Sequence, residues 1–197
     1  MSMLLIEFNS INQYSMYMNV SEYEKLRRNY KPDKIRYLLI AESPPPPPEF
    51  EGSRHFYRTD RPRRDDRLFL NTVRAIYSGA LNLSDDQLEQ DKENWLERLK
   101  QDGFYMTESL EESVKKVVKK PERQERIKKA LPRLISRVEE LADEDTKIVL
   151  IKSNVFEVAC EPLEEAGFNV LNKALVDYPG FWNQKAYREK LSDLIKS

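Results

Sequence analysis

A three-layer α/β/α sandwich around a four-stranded parallel sheet of order 2-1-3-4 is the fold this sequence predicts. Three observations lead there. The apolar run IRYLLIA (residues 35–41) is continuous, which suits a strand buried on both faces, and KIVLIK (147–152) reads as another strand. Segments with apolar residues at helical spacing fall between the strand segments. That alternation needs right-handed crossovers, for which 2-1-3-4 is a natural solution.

Residues 1–33 read as an N-terminal helical extension, and 34–197 as the α/β domain. The extension's helix opens at Ser21, with Glu24 three residues on, a capping-box spacing. The first strand stops abruptly at Glu42-Ser43 and the five prolines 44–48. A loop rich in arginine and aromatics runs to about residue 64. In 65–77, Leu68, Phe69, Thr72, Val73 and Ile76 form a helical stripe closed by Gly79. A second helix over 84–101 is capped by Ser84 and carries Leu88, Trp95, Leu96 and Leu99. Gly103 ends it, and 104–107 is a short strand. Residues 108–142 read as helical, with Pro121 and Pro132 as breaks or starts and Leu131, Leu134, Ile135, Val138 and Leu141 on one face. The third strand, a helix over 154–166 and a fourth strand over 169–176 follow. After Tyr178-Pro179-Gly180 the last helix lines up Tyr187, Leu191, Leu194 and Ile195.

Composition narrows the chemistry. Of 197 residues, 40% are hydrophobic and 34% charged, which is too apolar and too well patterned for a disordered chain. Lys+Arg 33 against Asp+Glu 34 excludes a polycation, so a nucleic-acid contact has to come from a local patch. The single Cys160 excludes a disulfide framework and four-thiolate zinc or iron–sulfur sites. The single His55 excludes a histidine-rich metal centre, and we expect neither metal nor cofactor. No run approaches the length of a membrane span, and MSMLLIEFNS lacks the charged start and long apolar stretch of a signal peptide. A reduced, cytoplasmic setting and no membrane partner are the expectation.

In the predicted topology the ligand crevice opens beyond the carboxyl ends of strands one and three. The segments 42–57, 152–154 and 177–183 fall there. Glu42, at the end of a buried strand and backed by prolines, suits a general base or a stabiliser of developing positive charge. A helix cap or an arginine partner is the plainer alternative. The proline run reads as a stiff loop lining the cleft, because no basic residue flanks it closely enough for an SH3 ligand. Arg54, Arg58, Arg61, Arg63, Arg64 and Arg67, against Asp60, Asp65 and Asp66, give this stretch a local charge of +3. His55, Phe56 and Tyr57 are interleaved with them. Arginine forks beside aromatic faces suit phosphates and bases, and they also serve to solvate a surface.

The order of these features resembles the uracil-DNA glycosylase superfamily over roughly residues 34–196. Ile40-Ala41-Glu42-Ser43-Pro44 is similar to its first motif, a strand ending in an acidic residue and proline. Phe56 or Tyr57 falls where the family keeps an aromatic that stacks on the base. Trp95-Leu96 through Gly103-Phe104-Tyr105-Met106-Thr107 resembles its helix-glycine-strand segment, and residues 147–151 the strand before its Leu-Gly turn. Tyr178-Pro179-Gly180-Phe181-Trp182-Asn183 looks like its last motif, His-Pro-Ser followed by a wedge. Thr107 stands in place of the family's Asn, Tyr178 in place of its His, and Lys152 in place of a turn glycine.

The resemblance implies hydrolysis of an N-glycosidic bond on a flipped nucleotide. In it Glu42 would orient water and balance the cationic sugar, and Tyr178 or Lys152 would stabilise the departing base. Phe56 or Tyr57 would stack on that base, and Phe181 or Trp182 would wedge the duplex. Ser43, Arg58, Arg64, Thr107, Asn154 and Asn183 complete the expected base- and nucleic-acid-binding set. For the aromatics, service in the core or in a turn is the competing reading. DNA or a nucleotide is the expected partner. A divergent glycosylase is one function, a non-catalytic member of the fold that binds nucleic acid, nucleotide or protein through the same cleft a second, and a hydrolase of free nucleosides or another small ligand a third. The charged stretch 111–129 reads as a solvated helix face, the acids of 85–93 as complements to a helix dipole, and Cys160 as a small core residue.

Overall fold

A computed structural model describes residues 23–45, 55–60, 66–114 and 117–196 of the protein. Four parallel strands form one sheet: β1 (Tyr37–Ala41), β2 (Phe104–Glu108), β3 (Lys147–Leu150) and β4 (Asn169–Val170), in the order β2-β1-β3-β4. The register sets Leu39 beside Met106 and Val149, so the centre of the sheet is aliphatic on both sides. Leu38, Ile40, Ile148, Val149 and Leu150 are wholly buried, as strands covered on both faces require.

Helices surround the sheet. Residues 23–29 form α1, and the others are α2 (Arg67–Ile76), α3 (Asp85–Gln90), α4 (Lys92–Gln101), α5 (Lys120–Leu141), α6 (Ser153–Glu165) and α7 (Gln184–Lys196). Crossovers leaving β1 toward β2 and β3 toward β4 run in opposite directions along the sheet, so right-handedness puts their helices on opposite faces. Accordingly α2 packs on α7, and α5 packs on α6. Tyr187 on α7 and Thr72 on α2 share a buried hydrogen bond of 2.8 Å between hydroxyls.

Local boundaries differ from the sequence reading in four places. The helix expected over 84–101 is two helices, because Asp91 (φ −101, ψ 19) leaves helical geometry as both the cap of α3 and the start of α4. Ser84 and Gln87 do form the reciprocal capping box that starts α3. The chain does not turn helical at 108. The N–H groups of Ser109 and Leu110 donate to the carbonyls of Ala41 and Glu42 at 2.7 and 2.9 Å, which ties the chain to β1 and delays α5 to Lys120. Pro121 sits in the first turn of α5, and Pro132 lies inside it without ending it. Pro132 and the preceding-turn Lys128 are both exposed, so water can take the carbonyl the proline leaves over.

The fourth strand is the largest change. Its ladder ends at Val170, and only the bridge between Ile151 and Val176 resumes it. Between them the Asn172 side chain replaces the missing strand. Its Oδ1 accepts from the Leu150 N–H at 2.7 Å, and its Nδ2 donates to the Leu150 carbonyl at 2.9 Å. Asn172→Ala leaves both buried groups of Leu150 without partners, so urea denaturation is expected to show a loss of about 2–3 kcal/mol.

Candidate binding site at the carboxyl ends of the strands

Glu42 follows the last residue of β1, and its backbone is fixed before its side chain is considered. Its carbonyl accepts from the Leu110 N–H at 2.9 Å and from the Ser109 hydroxyl at 2.8 Å. The side chain is 4% exposed, and two helical residues and one from the turn before α6 meet it there. Arg123 of α5 donates to Oε1 at 2.7 Å, Asn154 of α6 approaches the same oxygen at 3.4 Å, and the Lys152 ammonium pairs with Oε2.

Lys152 reaches it from an unusual backbone. It precedes α6 with φ 84 and ψ 142, a region that L-residues adopt at a cost of about 1–3 kcal/mol. Its N–H donates to Val176 O at 2.7 Å, which anchors the turn to the returning chain. Among the described residues it is the one non-glycine at positive φ, at the position where a turn glycine is the relaxed choice.

Burial alone would raise the Glu42 carboxyl, but hydrogen bonds and charge from Lys152 and Arg123 outweigh it and hold the pKa below the usual value. Glu42 therefore stays ionised, with each oxygen bonded to a cation. Such a carboxylate is a weak proton acceptor and a fixed point of negative charge. It also holds two cations at the carboxyl end of β1.

A second buried cluster lies beyond β2. Glu108, its last residue, pairs with Arg27 of α1, and Arg137 donates to the Glu108 carbonyl at 2.7 Å. The His55 Nε2 lies 3.8 Å from the Glu108 carboxylate, and the Tyr23 ring stacks on the imidazole at 4.7 Å. Burial, helped by Arg27, Lys92 and Arg58, pushes His55 down to about 3, so the ring is neutral at ordinary pH. Lys92 pairs with Asp66 at 2.7 Å beside it, and Asp66 caps α2. Burial pushes the Glu108 carboxyl up, and Arg27 and Arg137 offset part of that.

The structure brings Glu42, Lys152 and Asn154 together, with Ser43 half-buried next to them. Tyr178 is not among the groups bonded to Glu42. Phe56 and Tyr57 are 6% and 3% exposed. Phe56 packs edge-on to Phe69, while the Tyr57 hydroxyl accepts from the Met106 N–H at 2.6 Å. The pair therefore packs inside the domain instead of offering a face to a base. Thr107 is likewise buried, inside β2 opposite Ile40. Arg58 pairs with Asp60 at 2.7 Å. Arg64 and the other arginines of 61–65, the prolines 46–48, Arg54 and the Ser21 cap lie outside the described residues.

Tyr178, Phe181 and Trp182 stand out from the turn before α7, at 43%, 77% and 95% exposure. The guanidinium carbon of Arg67 lies 3.2 Å from the Phe181 ring centroid. Asn183 is exposed, and its carbonyl accepts the Tyr187 N–H at 2.9 Å, in the first turn of α7.

Sequence reasoning missed Arg27, Glu108 and Arg123. Arg123 lay in a stretch whose charge pattern reads as a solvated face, and nothing local separates it from its neighbours. Among the described residues no group of three His, Cys, Asp or Glu is placed to hold a metal ion, and no helix is long and apolar enough to cross a membrane. No family model, curated protein or solved structure matches the chain.

Proposed function

We propose that this protein binds nucleic acid, without hydrolysing it, through the exposed aromatic turn 178–182. The observation that carries the reading is the exposure of Trp182 and Phe181 on one short turn, with Arg67 lying on the Phe181 ring. Exposed rings beside a guanidinium are a stacking surface for unpaired bases, and base–aromatic stacking tolerates any sequence. The arginine-rich sequence preceding α2 supports it with local positive charge. The binding reading also agrees with Glu42, whose two oxygens are both held by cations.

Fluorescence anisotropy with a labelled single-stranded oligonucleotide tests it. Trp182→Ala is expected to weaken binding by about 1–3 kcal/mol, the worth of one stacked base. Affinity should also fall steeply with salt. Binding that is unchanged in both Trp182→Ala and Phe181→Ala would falsify the reading.

Hydrolysis is the second reading. The resemblance to the uracil-DNA glycosylase superfamily motivates it, and a buried, ionised Glu42 at the end of β1 favours it, since that charge would stabilise a cationic sugar. Release of uracil, hypoxanthine or xanthine from labelled oligonucleotides, lost in Glu42→Gln, would replace the binding reading with this one.

A further inference from the structure

The opposite pole of the sheet, at the amino ends of β1 and β3, carries a second concentration of charge. A cavity of about 350 Å³ opens there between Lys34, Arg36, Tyr37, Asp145 and Lys147. Its cations are not equivalent. Lys34 lies 2.7 Å from Asp145 and 3.6 Å from Asp143, so its charge is matched. Among the described residues, Arg36 and Lys147 have no carboxylate within ion-pair distance. Instead the Arg36 guanidinium carbon and the Lys147 ammonium lie 6.0 and 5.7 Å from the centroid of one ring, that of Tyr37.

The parts of this site are held in place. Tyr37 is 8% exposed, stacks on Phe104 at 4.6 Å and donates its hydroxyl to the Ile195 carbonyl at 2.9 Å. Lys147 is paired with Tyr37 by the strand register. The stem of Arg36 lies against Gly103, where φ is +81 and a Cβ would come within 2.8 Å of the Arg36 Cγ. A glycine there lets the arginine stem lie flat, in one direction.

Two cations without a carboxylate partner at one cavity suit an oxyanion. A guanidinium fork beside a point-charge ammonium is a pairing suited to phosphate oxygens. We infer that the cavity at the amino ends of β1 and β3 binds a phosphate group through Arg36 and Lys147. The group belongs either to a small di- or polyphosphate or to a nucleic-acid backbone.

Calorimetric titration of the full chain tests this, with inorganic pyrophosphate in one arm and a short single-stranded oligonucleotide in the other. Binding of either probe is expected to weaken by about tenfold or more in Arg36→Ala and in Lys147→Ala, the worth of one charge-assisted hydrogen bond. Asp145→Asn, which takes the nearer carboxylate from Lys34, should tighten binding several-fold, a gain that misfolding cannot produce. The probe that responds names the source of the phosphate. Trp182→Ala should leave pyrophosphate binding unchanged, which separates this site from the aromatic turn. The inference is overturned if neither probe binds, or if Arg36→Ala and Lys147→Ala bind both probes as the unaltered chain does.

Discussion

Arg27→Ala is expected to destabilise the protein by about 3–5 kcal/mol in urea denaturation, the usual cost of removing one partner from a buried ion pair. Arg27 and Glu108 each keep only 8% side-chain exposure, so water cannot replace the lost guanidinium. The remaining carboxylate would face the neutral His55 and the side of the sheet. The effect should spread to α1, whose Tyr23 stacks on His55 and donates to the Pro45 carbonyl, and whose end places Tyr30 on Tyr57. Two controls identify the cause. Glu24→Ala removes an exposed partner of Arg27 and should cost less than about 1 kcal/mol. Arg27→Met combined with Glu108→Leu should recover most of the loss, because an apolar pair does not strand a charge. A double variant as unstable as Arg27→Ala alone would mean that packing of α1, not charge, sets the loss.

The second large effect belongs to Glu42. Glu42→Ala removes the carboxylate that Arg123 and Lys152 share, and is expected to cost about 3–5 kcal/mol. Glu42→Gln should cost less, since its carbonyl oxygen still accepts from one of them. The pH dependence follows from the lowered pKa. A carboxyl whose folded pKa lies below its unfolded value of 4.5 stabilises fully above 4.5, and that contribution fades as pH falls through the folded value. The stability difference between the unaltered protein and Glu42→Gln should therefore shrink on acidification below 4.5 and stay flat above it. His55 contributes a separate acid-side slope, from its unfolded 6.5 down to about 3, which is common to both proteins and cancels in the difference. A difference that grows on acidification would contradict the assignment.

Lys152 adds a backbone test to the same cluster. Lys152→Gly and Lys152→Ala both remove the ammonium, but only glycine relieves the positive φ. The glycine variant should be the more stable by about 1–3 kcal/mol. Equal stability would show that the φ of 84 carries no strain.

Much of this architecture is legible in local pattern. Residues 35–41 announce two-sided burial by having no polar alternation, and the sheet order 2-1-3-4 is a natural solution for right-handed crossovers once strands alternate with helices. Ser84 with Gln87 marks a helix start because a capping box needs only neighbours. The shortened β4 was not legible, because an asparagine side chain stands in for strand backbone. No propensity distinguishes Asn172 bonded to Leu150 from an asparagine in a turn.

The candidate site divides in the same way. Strand continuity and the proline stop place Glu42 at the carboxyl end of β1, and the end of β3 places Lys152 on the same side of the sheet. What Glu42 meets is another matter, because Arg123 lies 81 residues away and Asn154 112. Phe56 and Tyr57 have the composition of a stacking surface, yet the fold closes over them, while Phe181 and Trp182, equally apolar, are left in water.

By itself the sequence determined three of the four strands, most of the helices, the parallel arrangement and the residue at which β1 ends. These depend on periodicity, capping and chirality, which act over a few residues or follow from topology. Only the tertiary structure decided which aromatics are buried, that Glu42 is shared between two cations, that Arg27 meets Glu108, and that Arg36 and Lys147 both lie within about 6 Å of the Tyr37 ring centroid. Burial and charge pairing are set by which distant segments the core brings into contact, and a residue's type carries no record of its neighbour across the fold.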